Sequence, residues 1–190
     1  TWNGFKYLGG NGGSACPVAP DRIFMGGGGG AGTRNNTVSP WPNYFNASSG
    51  GMGGGVCFIR ANSFSNTGVI NVNGESGVEP DNDGGGGGGA GGTVVLLATT
   101  GNLTGITVHA NGADGTNACF NCVPHGPGGG GGGGYVVSNK AVNGASTVAP
   151  GINGLTCCSP ATVKFNYGAE TGTAGIIQVI TGLSDQVPGV

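Results

Sequence analysis

The sequence predicts an all-β fold: a repetitive, glycine-rich β architecture, solenoid-like or sandwich-like, with ordered glycine segments packed beside short strands. Three observations carry that expectation. Glycine supplies 47 of 190 residues, against a usual share of about 7%, and each interior Gly costs a helix about 1 kcal/mol relative to Ala. Short apolar runs rich in β-formers follow the glycine blocks, and no segment sustains a helical period. A unit of glycine block, apolar run, Thr-Gly pair, second β-rich run and Asn-Gly-x-x-Gly occurs twice in the same order.

The chain reads as one domain, 1–190. An early glycine block at 26–30 precedes an insertion holding Trp41, Pro42, Tyr44 and Phe45. The two clear repeats are 50–87 and 88–127, offset by 38 residues, so that Gly50 maps to Gly88, Val56 to Val94, and Asn73-Gly74 to Asn111-Gly112. Val56-Cys57-Phe58-Ile59 and Val94-Val95-Leu96-Leu97 are continuous apolar runs and read as strands buried on both faces. Val69-Ile70-Asn71-Val72 and Ile106-Thr107-Val108-His109 alternate, which predicts strands with one wet face. The Thr-Gly and Asn-Gly pairs read as turns. Residues 128–190 form a degenerate repeat: a block at 128–134 leads into Tyr135-Val136-Val137. The alternating stretch 162–167 and Ile176-Ile177-Gln178-Val179-Ile180 then read as a closing hairpin.

A glycine run has no side chains, so extended segments of it can approach closely and pair backbone to backbone. Polyproline-II geometry has three residues per turn and leaves its polar groups free to bond neighbouring segments. The blocks recur at a fixed place in the repeat, which favours ordered polyglycine-II segments over flexible linkers. The conformational entropy lost by Gly on folding opposes this order, and the strands and disulfides must offset it.

The pattern GGGGGGAGGTVVLLATTGNLTGITVHANGADG resembles the glycine-rich repeats of very large bacterial surface and adhesin-like proteins, over residues 50–137. In those, a GGxGG block precedes an apolar strand and then a short strand that ends in Ala/Val-Asn-Gly. The glycine blocks alone are similar to the tips of phage tail-fibre adhesins, where polyglycine-II helices form a sandwich. Small glycine-rich antifreeze proteins share the composition, but their regular Gly-x-x spacing is missing here.

Charged residues are 7% of the chain and the net charge is −2, which leaves no electrostatic footprint for nucleic acid. No apolar run is long enough for a membrane-spanning helix. Gly-x-Ser-x-Gly, His-Glu-x-x-His and a phosphate-binding loop are all missing, so neither an enzyme nor a cofactor is expected. Cys16, Cys57, Cys119, Cys122, Cys157 and Cys158 make an even number in a chain with little core-forming material. That pattern predicts disulfides, with pairing undetermined, and an extracellular, secreted or cell-surface location. Cys119-x-x-Cys122 followed by His125 has the outline of a zinc site, but disulfides suit the compartment better and no metal is expected. Glu75, Glu79, Asp81 and Asp83 are weak calcium candidates without the EF-hand spacing. Asn35, Asn46 and Asn102 stand in N-glycosylation sequons.

The expected function is an extracellular structural protein, a subunit or repeat of a self-assembling filament, sheath or surface layer whose partner is a copy of itself. Ile176, Ile177, Val179 and Ile180 are the expected assembly strand, since no charge blunts them. The alternative is an adhesin module that recognises a cell surface, receptor or glycan through Trp41, Tyr44 and Phe45.

Overall fold

The computed structural model describes residues 8–15, 23–33, 48–80, 83–120, 123–158 and 163–182, with the backbone alone for 119–120, 123–124, 157–158 and 163–164. Among the described residues there is no helix. The strands are β1 (Val56–Ala61), β2 (Gly68–Asn71), β3 (Thr93–Ala98), β4 (Ile106–His109), β5 (Cys119–Phe120), β6 (Val123–Pro124), β7 (Tyr135–Ser138), β8 (Thr156–Cys158), β9 (Val163–Phe165) and β10 (Ile176–Val179).

β1, β3, β7 and β10 form a 4-stranded, wholly parallel sheet in that order. β2 and β4 form a second parallel pair, which isolated bridges extend from Leu103 to Val142 and from His109 to Thr147. Each strand of the larger sheet directly follows a glycine-rich segment, so successive repeats lie on one another in the same direction. β5–β6 and β8–β9 are short antiparallel pairs.

Two readings of the sequence are corrected here. Stretch 162–167 and β10 do not form a hairpin: β9 pairs with β8, and β10 adds to β7 as the fourth parallel strand. β10 follows segment 168–175 as β7 follows 126–134, and so takes the next place in the stack. The uniform 38-residue offset also fails along the first strand, where Val56 faces Thr93 and Cys57 faces Val94. Six residues, Gly50 to Gly55, stand before Val56, and the six from Gly87 to Gly92 stand before Thr93. The link from β3 to β4 is one residue longer than that from β1 to β2, and the 38-residue spacing is restored at Asn73 and Asn111.

The glycine segments bond to one another at every third residue, the repeat of a helix with three residues per turn. Segment 84–92 shows the pattern. The N–H groups of Gly85, Gly88 and Gly91 donate to the carbonyls of Gly126, Gly129 and Gly132. Those of Gly84, Gly87 and Ala90 donate to Thr33, Gly30 and Gly27, and those of Gly89 and Gly92 to Glu75 and Val72. Its carbonyls at Gly87 and Ala90 accept from Gly51 and Gly54, and those at Gly86 and Gly89 accept from Thr116 and Ala113. The segment thus satisfies most of its backbone polar groups through its neighbours, as a buried backbone requires. The missing Cβ makes the approach possible: a Cβ on Gly131 would lie 2.1 Å from the Gly89 oxygen.

The main core joins Val94, Leu96, Ala98 and Val136 of the large sheet to Leu103, Ile106, Val108 and Ala110. Val95, Leu97, Tyr135 and Val137 cluster on the opposite face, so β3 is buried throughout, as its continuous apolar run predicts. β1 is not. Its burial alternates, with Val56 43% and Phe58 56% exposed, because it is an edge strand. β2 and β4 alternate as expected. The Thr104-Gly105 pair makes a turn closed by Ile106 N–H on the Leu103 carbonyl, whereas Asn73-Gly74 and Asn111-Gly112 lie in the extended return segments.

Candidate assembly surface

Both edges of the parallel sheet carry uncovered apolar side chains. On β10, Ile176, Ile177 and Val179 are 43%, 37% and 43% exposed. Pairing with β7 puts Ile177 and Val179 on the face that Val94, Leu96 and Val136 use for the main core. Among the described residues, the layer that covers this face, β2, β4 and the stretch around Val142 and Thr147, ends one repeat earlier. Ile177 and Val179 therefore overhang it. At the opposite edge Val56 and Phe58 lie on the other face, in line with Tyr135 and Val137.

Ile180, grouped by sequence with the assembly strand, instead packs half-buried against Val95, Leu97, Tyr135 and Val137. Its neighbour Gln178 accepts a hydrogen bond from the Tyr135 hydroxyl at 2.5 Å. These contacts anchor β10 from one side and leave the other free. Burial raises the Tyr135 phenol above its ordinary value. Arg60 is the charged residue on β1, at the far end from the glycine segment, and β10 carries none.

The remaining expected sites are placed as follows. Cys57, expected from the sequence to join a disulfide, is here a free thiol half-buried against the main core. It faces Val94 within the sheet, so its environment is that of a small apolar core residue. Cys16 and Cys122 lie outside the described residues. A bridge between Ala118 and Thr156 sets the backbones of Cys119 and Cys157 side by side, with Cys158 next along β8. Of the calcium candidates, Glu75 and Glu79 are exposed on a return segment, Asp83 adjoins segment 84–92, and Asp81 lies outside the described residues. Among the described residues no three His, Cys, Asp or Glu side chains are grouped to hold a metal. Asn102 is exposed in a turn, where its side chain accepts from the N–H and hydroxyl of Thr104 at 3.1 and 2.7 Å. Trp41, Tyr44, Phe45, Asn35 and Asn46 lie outside the described residues.

The β1 edge was missed in the sequence because its run has the same composition as β3. Its one signal is the solitary Arg60, a charge that β3 lacks at Leu97. Among the described residues no helix is long and apolar enough to cross a membrane. No family model, curated protein or solved structure matches the chain.

Proposed function

We propose that the chain is an extracellular structural protein whose copies assemble end to end into a filament, sheath or layer. The observation that supports this most directly is that, among the described residues, both edges of one parallel sheet are unpaired, each carrying exposed apolar residues. Soluble proteins blunt such edges with charge, proline or a covering element. A chain with 7% charged residues has little with which to do so.

The glycine segments extend the same reading. Bonding at every third residue, to neighbours on all sides, supports a polyglycine-II bundle beside a solenoid-like stack of strands. Such a stack has no intrinsic length. It grows by adding repeats, and an unblunted terminal repeat offers its surface to the next chain. A head-to-tail contact of this kind is heterologous and leads to an open polymer.

Light scattering and electron microscopy across a concentration series test the proposal. Assembly into elongated particles above a threshold concentration is the expected result. A chain that stays monomeric at high concentration overturns it and favours an adhesin module.

A further inference from the structure

Resting on the self-assembly reading, the geometry points to one specific contact: the β10 end of one copy seats on the β1 end of the next in the register of the repeat itself. Ile176 then faces Val56, Ile177 faces Cys57, Gln178 faces Phe58 and Val179 faces Ile59.

Backbone groups left over at the two ends set this register. At each junction inside the molecule, one repeat's glycine segment donates every third N–H to the next. Gly51 and Gly54 donate to Gly87 and Ala90; Gly85, Gly88 and Gly91 to Gly126, Gly129 and Gly132; Gly130 and Gly133 to Glu170 and Thr173. In the register of β7 on β10, the positions equivalent to Gly130 and Gly133 are Thr171 and Ala174. Along this last segment Glu170 and Thr173 donate to Gly10 and Gly13, and Gly172 and Gly175 donate to Gly151 and Val148. Among the described residues, the N–H groups of Thr171 and Ala174 have no partner, and both residues are exposed.

The first segment shows the complement. The carbonyls of Ser48, Gly51 and Gly54 accept from Gly32, Gly29 and Gly26, and those of Ser49 and Met52 accept from Val78 and Glu75. Among the described residues, those of Gly50 and Gly53 accept nothing. In the register of β1 on β3 they are the equivalents of Gly87 and Ala90, which accept from the preceding repeat. One end therefore offers two donors three residues apart, and the other offers two acceptors at the same spacing and in the same direction. Thr171 meets Gly50 and Ala174 meets Gly53 in a single register, the one that sets Ile176 opposite Val56. The occupant that fits is a second copy of this chain, because donor row and acceptor row belong to the same repeat. The contact also covers the exposed Val56, Phe58, Ile177 and Val179.

A copy supplies the four strands of its sheet, and hydrogen-bonded strands lie about 4.8 Å apart, so the axial rise is roughly 19 Å per copy. Two measurements test the contact. Filaments of the unmodified chain should diffract with that rise. The double variant Thr171→Pro/Ala174→Pro removes both donors, while proline keeps the φ of a polyproline-II segment. It also removes the exposed hydrogen bond from the Thr171 hydroxyl to Asn153, so it should fold with a thermal transition close to the parent's and raise the threshold concentration for assembly at least tenfold. Filaments with a different rise, or a folded double variant that assembles like the parent, overturn this contact and leave self-assembly standing. A parent chain that never assembles overturns both. Should the double variant fail to fold, the rise of the parent filament decides alone.

Discussion

The side-chain oxygen of Asn73 accepts the backbone N–H of Asn111 at 2.7 Å, and the side chain of Asn111 accepts that of Ala149 at 2.8 Å. Each bond ties one return segment to the same place in the next. Asp114 and Asn117 do likewise for Ile152 and Leu155, so an acceptor recurs at every third position of 111–117 and matches a three-residue turn. Asn73→Ala leaves the half-buried Asn111 N–H unpaired and should destabilise by about 1 kcal/mol. Asn73→Asp keeps the acceptor and should recover most of that loss. Urea midpoints at constant m-value measure both.

Gly131 and Gly30 differ in what a side chain would meet. A Cβ on Gly131 falls 2.1 Å from the Gly89 oxygen, whereas one on Gly30 meets nothing within 4 Å. Neither has positive φ, so the contrast isolates space from backbone strain. Gly131→Ala should force segments apart at a cost on the order of 1–3 kcal/mol. Gly30→Ala should be neutral or stabilising by about 0.4–1 kcal/mol, through the reduced freedom of the unfolded chain. Paired thermal melts check the sign of each.

Much of this organisation was legible in the sequence. The strands that follow the glycine blocks could be located because β-branched runs bounded by Gly have few other uses. Their register could not, since it turns on a single extra residue in the link from β3 to β4. Asn73-Gly74 and Asn111-Gly112 were read as turns because the local code for a turn is the same dipeptide. Here Asn caps a neighbouring backbone and Gly permits close approach. β10 was hidden as a sheet member because its segment is not a glycine block. It keeps Gly172 and Gly175 where a Cβ would meet the Gly131 and Gly134 oxygens at 2.1 and 1.9 Å. Thr171, Thr173 and Ala174 are exposed and have room for a side chain. Of the two exposed sheet edges, the apolar run of β10 was legible and the β1 edge was not.

Cys57 should react with a thiol reagent in the unreduced protein. It is the free cysteine among the described side chains, and its half-buried position slows the reaction without preventing it. Mass spectrometry after alkylation without reductant should place a label on Cys57. Quantitative recovery of Cys57 in a disulfide-linked peptide would contradict the structure.

The Tyr135 phenol gives the fold a limb of alkaline sensitivity. Burial raises it above its ordinary value of 10.0, so the unfolded chain ionises first. The stability contributed by this group is present in full below that ordinary value and is lost as pH rises through the folded one. Tyr135→Phe should flatten the limb while losing the bond to Gln178, at a cost of about 0.5–1.5 kcal/mol near neutral pH. Chemical denaturation at a series of pH values from neutral to strongly alkaline resolves the two effects.

Lysine placed on β10 separates the side that faces the molecule from the side proposed to face a neighbour. Ile177 and Val179 overhang the main core and are 37% and 43% exposed, whereas Ile180 packs against Val95, Leu97, Tyr135 and Val137. Ile177→Lys/Val179→Lys adds two charges to an edge without one, which is how natural edge strands resist pairing. The double variant should stay monomeric where the parent assembles, with stability within about 1 kcal/mol of it, since substitutions at exposed sites are mild. Ile180→Lys must instead bring a charge against an apolar cluster, or swing its stem out and leave a gap there. It should lower the thermal midpoint well beyond the double variant. Sedimentation velocity and thermal melts on the two variants read the difference. If Ile180→Lys proves the milder for stability, or the double variant assembles as readily as the parent, β10 does not present the outward side described here.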